Sequence, residues 1–539
     1  MAKPKTPNQK RKYGELNKRL AKYVMLVESI YEDLNLEAAK IVGITDFTID
    51  SDRTFMWSDY PQTRKRIRDL QERFVEDIGS VIYSGTSEEW KNSNEVQDLL
   101  ANKVLQTYGA TIGKEKYEIL YQPNNDALKA FQQRKDKGFT ISDKLWNQST
   151  LYKQELEEAI SCAIQKGTSA ITLSKQISKY LLDFPQLQKD YKERFGKASR
   201  AMDCEYRSIR LAASEINMAY RQAENLRWQQ MYFVVGYEIK LSNNHTCNGK
   251  PFQDICDILA GKYPKDFQWT GWHPLCRCYK IPILKTEEEF WEWDGRSEAT
   301  TASVNEVKDV PDAFKKWVLD NQERISTAKK RNTLPYFLRD NKSVYQKITV
   351  ESSISEIVKR ASSVGDEVQS IAERIAIKNG GYVTPINFKS TTSITRKVIT
   401  EGITPYDIKD AVRTTIIVPK SRIEDVLEEL YKTEGFLRLK RQKPESFMGY
   451  SGNIVNIRTT NGLTAEIQVN TERMIFAKER PEDAKRILGK KRWEEIHNET
   501  GMEGGLGHKY YEQWRILDKS SNEALKIVEK SIEYYSHFR

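Results

Sequence analysis

The sequence predicts a multidomain protein. A mainly α-helical N-terminal half carries a small Cys/His-rich α+β module, and an α+β domain with a small mixed sheet follows. Three observations predict this. At 539 residues the chain is too long for one core, so two to four domains are expected. Much of the first half repeats apolar residues at helical spacing. The last third instead alternates short β-branched runs, such as 413–418 and 464–469, with helical stretches.

Taken in order, residues 10–110 alternate charged and apolar residues, as around Tyr23 to Val27 and Leu70 to Val75. Residues 151–183 read as a helix pair broken at Gly167. Residues 198–231 read as one long helix with an apolar stripe at Ala201, Tyr206, Ile209, Ala212, Ile216, Ala219 and Ala223. Its polar face holds Arg207, Arg210, Glu215, Arg221 and Glu224. A strand is expected at 233–241 and a compact loop region at 242–284. Residues 286–345, charged and interrupted by Pro311 and Pro335, read as a partly helical connector. Beyond it a helix at 354–377 should stop at Gly380-Gly381. Strands follow at 413–418, 436–440, 453–458 and 464–469, with helices at 392–401, 421–432 and 520–536. The expected division is 1–130, 131–285, 286–345 and 346–539.

Hydrophobic residues make up 39% and charged residues 30%, the balance of globular domains rather than a disordered chain. A net charge of +10 over this length points only weakly to nucleic acid. No apolar run approaches the ~20 residues a spanning helix needs. The basic start, Met1-Ala-Lys-Pro-Lys, has no apolar segment after it and is not a signal peptide, so folding in a cytosol is expected, with no membrane partner. Six cysteines in such a length are not a disulfide framework.

Four of those six lie between 247 and 278: Cys247, Cys256, Cys276 and Cys278, with His245 and His273 among them. Thiolates and imidazoles suit a tetrahedral structural zinc, with Cys247, Cys256, His273, Cys276 and Cys278 as candidate ligands. The spacing is not a pair of Cys-x-x-Cys knuckles, and a turn-rich module with buried reduced thiols fits it equally well. The segments Arg210-Leu-Ala-Ala-Ser-Glu-Ile-Asn-Met-Ala-Tyr-Arg221, Asn243-Asn-His-Thr-Cys247 and Gly271-Trp-His-Pro-Leu-Cys-Arg-Cys278 resemble phage Mu F-like minor head morphogenesis proteins. The resemblance runs from about 130 to 284. It implies a virion component working with portal and capsid proteins, and some members carry C-terminal effector domains.

A second constellation occupies the last third. Lys389, then Ser393, Arg396 and Lys397 near a helix start, offer cations and hydroxyls to phosphates. Asp410 precedes a buried strand that opens on Arg413; such a carboxylate suits magnesium, and Arg413 suits a phosphate or a base. Strand alternation puts Thr464, Glu466 and Gln468 on one face, so Glu466 is expected to face Asp410. Two carboxylates there would share a magnesium, and one would deprotonate an attacking hydroxyl. Tyr450, in Gly449-Tyr450-Ser-Gly452, is placed to stack on a base. Arg438, Lys440, Arg441 and Lys443 form a basic run, and His508 and Lys509 follow a glycine-rich turn.

The order of these pieces over 350–518 resembles RelA/SpoT-type nucleotide pyrophosphotransferases. That family moves pyrophosphate from ATP to a nucleotide 3′-hydroxyl. The resemblance implies that Lys389, Ser393, Arg396, Lys397 and Arg413 bind ATP, and that Asp410 and Glu466 hold magnesium with Glu466 as base. Tyr450, Arg438, Lys440, Arg441, Gln468, His508 and Lys509 would meet the acceptor. The family's Gly-Tyr-Arg-Ser-x-His reads Gly-Tyr-Ser-Gly-Asn here, which leaves the acceptor open. The combined expectation is a phage head protein carrying a growth-inhibiting enzyme, found in the virion and the bacterial host cytoplasm. The alternatives are a structural capsid protein with an inactive C-terminal domain, or a tRNA 3′-end pyrophosphotransferase.

Overall fold

The computed structural model describes residues 4–45, 53–163, 170–242, 246–247, 250–251, 253–291, 303–443 and 447–539. It divides into two compact units, Met1–Tyr345 and Gln346–Arg539.

The first unit is built on long helices, chiefly Gln9–Val42, Arg64–Thr107, Ile141–Ala163 and Cys204–Gln230. Gln9–Val42 starts where the Asn8 side chain accepts from the Arg11 N–H at 3.0 Å. Its Tyr13, Leu16, Tyr23, Val27, Tyr31 and Leu34 recur at helical spacing and are all buried. Tyr31 packs edge-on against both Phe74 and Tyr152, which ties three helices together. A Cβ at Gly85 would lie 2.5 Å from Ile216 Cδ1, so only glycine lets Arg64–Thr107 lie this close to Cys204–Gln230. The expected break at Gly167 lies outside the described residues.

The long helix starts at Cys204, not 198, because Asp203 caps it by accepting from the Tyr206 N–H at 3.1 Å. Its expected polar face is largely buried. Glu215 pairs with Arg134 at 2.6 Å and Lys144 at 3.4 Å. Glu224 accepts from Tyr13 at 2.6 Å and pairs with Lys280 at 3.2 Å. Periodicity marks a polar stripe but not whether another element covers it.

After this helix, strand Val234–Lys240 runs antiparallel between Gly261–Tyr263 and Tyr279–Leu284. Of the segment expected as a connector, residues 303–345 fold onto this small sheet. Phe314, Val318, Phe337 and Leu338 are fully buried, and Phe314 meets the rings of Tyr263, Phe267 and Trp272. Four well-spaced apolar residues outweigh the charged composition around them.

In the second unit the sheet order is Tyr382–Val383, Val412–Ile417, Thr464–Asn470, Asn453–Arg458, Phe436–Arg441, and Asn387–Phe388 also pairs with Val412–Ile417. Thr464–Asn470 is parallel to Val412–Ile417, and the other pairings are antiparallel. One face packs on helices Lys342–Ser363, Gly365–Lys378 and Ile423–Tyr431. Its core includes Val412, Ile416, Val455, Ile457, Ala465, Ile467 and Val469. The helix expected at 354–377 is two helices, broken at Val364; at Gly365, which opens the second, a Cβ would lie 2.6 Å from the Phe388 ring. Four helices beyond those expected follow, Glu472–Lys478, Pro481–Leu488, Lys490–Thr500 and Leu506–Arg515. With Asn522–Ser536 they build a second apolar cluster around Phe476, Ile496, Tyr534, Tyr535 and Phe538, and Tyr450 packs against it.

Candidate active site

The sheet register assembles the site. Arg413 pairs with Glu466, Glu466 with Asn456, and Asn456 with Arg438. Residues directly opposite on neighbouring strands share a face, so these four form one polar row on the face away from the helical core. In the next row Thr415 pairs with Gln468, Gln468 with Ile454, and Ile454 with Lys440. Arg441 falls on the other face, where Glu424 holds it bidentately. Strand alternation puts Arg441 on the face opposite Lys440, so of the acceptor candidates on this strand only Arg438 and Lys440 share the face of Glu466.

The edge segment 382–388 brings the cations in. Asn387–Phe388 runs antiparallel to the start of Val412–Ile417, and the Lys389 N–H donates to the Ala411 carbonyl at 2.9 Å. The Lys389 ammonium therefore reaches one oxygen of Asp410. Ser390 then caps helix Thr391–Glu401 by accepting from the Ser393 N–H at 3.2 Å. One turn on, Lys397 Nζ donates to the other Asp410 oxygen at 3.1 Å. Ser393, Arg396 and Lys397 recur at the three- and four-residue spacing of one helix face, and Arg396 is exposed. Burial would by itself raise the Asp410 pKa, but the two ammonium groups hold its carboxyl below the ordinary aspartate value.

Glu466 is held from beside and below. Gln468 Nε2 donates to Glu466 Oε1 at 2.7 Å, and Lys478 Nζ donates to Gln468 Oε1 at 2.8 Å. Lys478 also pairs with Glu479 at 3.0 Å and lies 5.7 Å from the centre of the Tyr450 ring. Tyr450 donates to Asn470 Oδ1 at 2.9 Å and packs edge-on against Tyr535. Burial would raise the Glu479 pKa, but Lys478, then Arg413 and His508, pull it down. Lys478, Glu479, Asn456 and Asn470 are site residues that sequence reasoning missed. Thr471, whose side chain caps the helix carrying Lys478, was the available signal. His508 and Lys509 follow the turn at Gly504-Gly505 and lie in the first turn of helix Leu506–Arg515. His508 Nε2 accepts from Arg480 at 3.2 Å, and Lys509 is exposed.

This face therefore offers two carboxylates, a cluster of cations near a helix start and one partly buried tyrosine. No protein-family profile matches the chain. A third of it has a curated relative. The chain is 36% identical over 181 residues to the (p)ppApp synthetase toxin Tas1 of Pseudomonas aeruginosa. The match covers 33% of this chain and 41% of that protein, so the chain spans well under half of the curated relative's length. Among solved structures, the complex between the Type VI effector Tas1 and its immunity protein matches 35% of this chain and 97% of that one. Identity there is 36% and the TM-score 0.33. The small alarmone synthetase 1 from Bacillus subtilis matches 34% of this chain and 89% of that one, at 14% identity and a TM-score of 0.24. Over that third the chain is similar to an enzyme, a synthetase.

The cysteines lie in the first unit. Cys256, Cys276 and Cys278 are buried together, with His273 beside Cys256. His245 and the Cys247 side chain lie outside the described residues.

Proposed function

We propose that residues 346–539 transfer the β,γ-pyrophosphoryl group of ATP to the 3′-hydroxyl of an adenine nucleotide, and that the product arrests bacterial growth. The observation that carries this is the 36% identity to a (p)ppApp synthetase toxin. The ion pairs of Lys389 and Lys397 with Asp410, and the pairing of Arg413 opposite Glu466, support it.

ATP phosphates would draw Lys389 and Lys397 off Asp410, because a triphosphate carries more negative charge than one carboxylate. Arg396, Ser393 and Arg413 would complete the phosphate contacts. Asp410, released from its lysines, and Glu466 suit magnesium, which prefers oxygen donors. When bound, the ion would neutralise charge on the transferring phosphates. Tyr450 and the exposed Arg438 and Lys440 would place the acceptor. Glu466 would take the proton of the 3′-hydroxyl. The 3′-oxygen bonds to the β-phosphorus, the bond from that phosphorus to the α,β-bridging oxygen breaks, and AMP leaves.

Incubating the full chain with γ-labelled ATP and AMP, ADP, GDP, GTP or bulk tRNA tests this. Label should move to an adenine nucleotide, with one AMP released per transfer. Label in tRNA would favour the tRNA reading. No transfer to any acceptor would leave the domain a binding module.

For the first unit, the reading is a minor head component that works with portal and capsid proteins and delivers the enzyme to the host cytoplasm. Its support is the sequence of 205–280 alone. Probing purified particles for the chain tests it, and its absence from them would remove the virion role.

A further inference from the structure

We infer that Cys256, His273, Cys276 and Cys278 bind one zinc ion in a closed structural site that locks the 270–278 loop against helix Cys204–Gln230.

Three of the four ligand atoms, the sulfurs, are already close to their places, and His273 joins them through Cys256. Cys256 Sγ and Cys276 Sγ are 3.8 Å apart. Two thiolates about 2.3 Å from a tetrahedral zinc would be separated by about 3.8 Å. The sulfurs of Cys256, Cys276 and Cys278 all lie within 4.8 Å of one another. His273 Nε2 lies 3.1 Å from Cys256 Sγ. The other ring nitrogen, Nδ1, is 2.7 Å from the Pro274 carbonyl oxygen, which can only accept. Nδ1 therefore carries the proton, and Nε2 turns its lone pair toward Cys256 Sγ. An imidazole fixed through its far nitrogen by a carbonyl is how ligand histidines are oriented.

A second, independent observation is the charge on Arg221. This side chain is 1% exposed and forms no ion pair with a carboxylate among the described residues. It donates instead to the carbonyls of Thr270 at 3.0 Å, Cys276 at 2.7 Å and Cys278 at 2.8 Å. A buried guanidinium without a counter-charge is costly. Three thiolates, one neutral imidazole and Zn²⁺ sum to one negative charge, which balances it. Asn217 adds a donor to the Cys276 carbonyl at 2.9 Å. Arg221 and Asn217 thus clamp the backbone while the metal would join the side chains. Four protein ligands leave no open position, which makes the site structural rather than catalytic.

Asp254 competes for the fourth place, since its Oδ2 lies 3.3 Å from His273 Nε2. Its other oxygen accepts from the Cys256 N–H at 2.7 Å, a helix-capping task that accounts for its position.

The test is metal analysis of the full chain purified without chelator. About one zinc per chain is expected, with His273→Ala lowering occupancy and His273→Cys restoring it. Asp254→Asn should keep the metal; its loss there would assign the fourth ligand to Asp254 and overturn the site as stated. Because ligand variants can fail to fold, cobalt exchange into the unmodified chain gives a second readout. Intense visible bands with thiolate-to-cobalt charge transfer are expected of a tetrahedral three-sulfur site. A folded chain without metal, whose cysteines titrate as free thiols or as a disulfide and whose melting temperature is unmoved by chelator, would overturn the proposal.

Discussion

Glu466 and Lys478 stand on different elements and meet through one amide, that of Gln468. Glu466→Gln keeps the size and removes the charge that base catalysis needs. A rate loss of at least ~100-fold is expected if Glu466 is the base, with the circular-dichroism spectrum unchanged. Lys478 acts through its neighbours, so Lys478→Met should lower the rate less than Glu466→Gln, and Lys478→Arg should recover part of the loss. Tyr450→Ala should weaken acceptor binding more than ATP binding, since stacking contributes about 1–3 kcal/mol per base. Equal changes in the two apparent affinities would place Tyr450 in the fold rather than at the acceptor.

At the scale of elements, helix Ile141–Ala163 holds a buried acid that makes the first unit sensitive to pH. Glu155 is 2% exposed and accepts from the Cys204 N–H at 3.1 Å. Burial pushes its carboxyl up to about 7. A raised folded pKa means that the folded state holds the proton more tightly than the unfolded one. The resulting stability is present below the ordinary glutamate range and is lost as pH rises through about 7. Glu155→Gln should therefore raise the melting temperature at pH ~8 and change it little at pH ~5, with a gap on the order of 2 kcal/mol between the two. The reverse pattern would show that Glu155 is ionised in the fold. Helix starts follow the same local physics. Asp203, Ser390 and Thr471 each cap one. Of these, only the start near Ser390 was near its expected place, and the helix capped by Thr471 was not anticipated.

At the scale of the molecule, each unit has its own apolar clusters, one set including Tyr31, Phe74 and Tyr152 and the other Ile416, Ile467 and Phe476. Residues 346–539 expressed alone should fold cooperatively and stop bacterial growth, while the same fragment with Glu466→Gln should be harmless. Equal toxicity of the two would sink the enzymatic reading. An unfolded fragment would instead place the boundary elsewhere.

The sequence by itself determined the residue types and most of the strands around the candidate site. Strand alternation is local, so 464–469 showed Glu466 and Gln468 on one face and Ala465, Ile467 and Val469 on the other. The kinship with a synthetase toxin is likewise carried by residue identities along the chain. Long-range pairing decided the rest. The parallel register set Arg413 beside Glu466, and the antiparallel pairing of Asn387–Phe388 set Lys389 on Asp410. Strand alternation alone separates Arg441 from Lys440, and the fold supplies Glu424 as its partner on the other face. Lys478 arrived from a helix whose apolar residues show their role only once Phe476 and Tyr535 have neighbours. In the first unit, the burial of Arg221 and the folding of 303–345 onto the small sheet depended on which element covers which, and no periodicity within one segment encodes that.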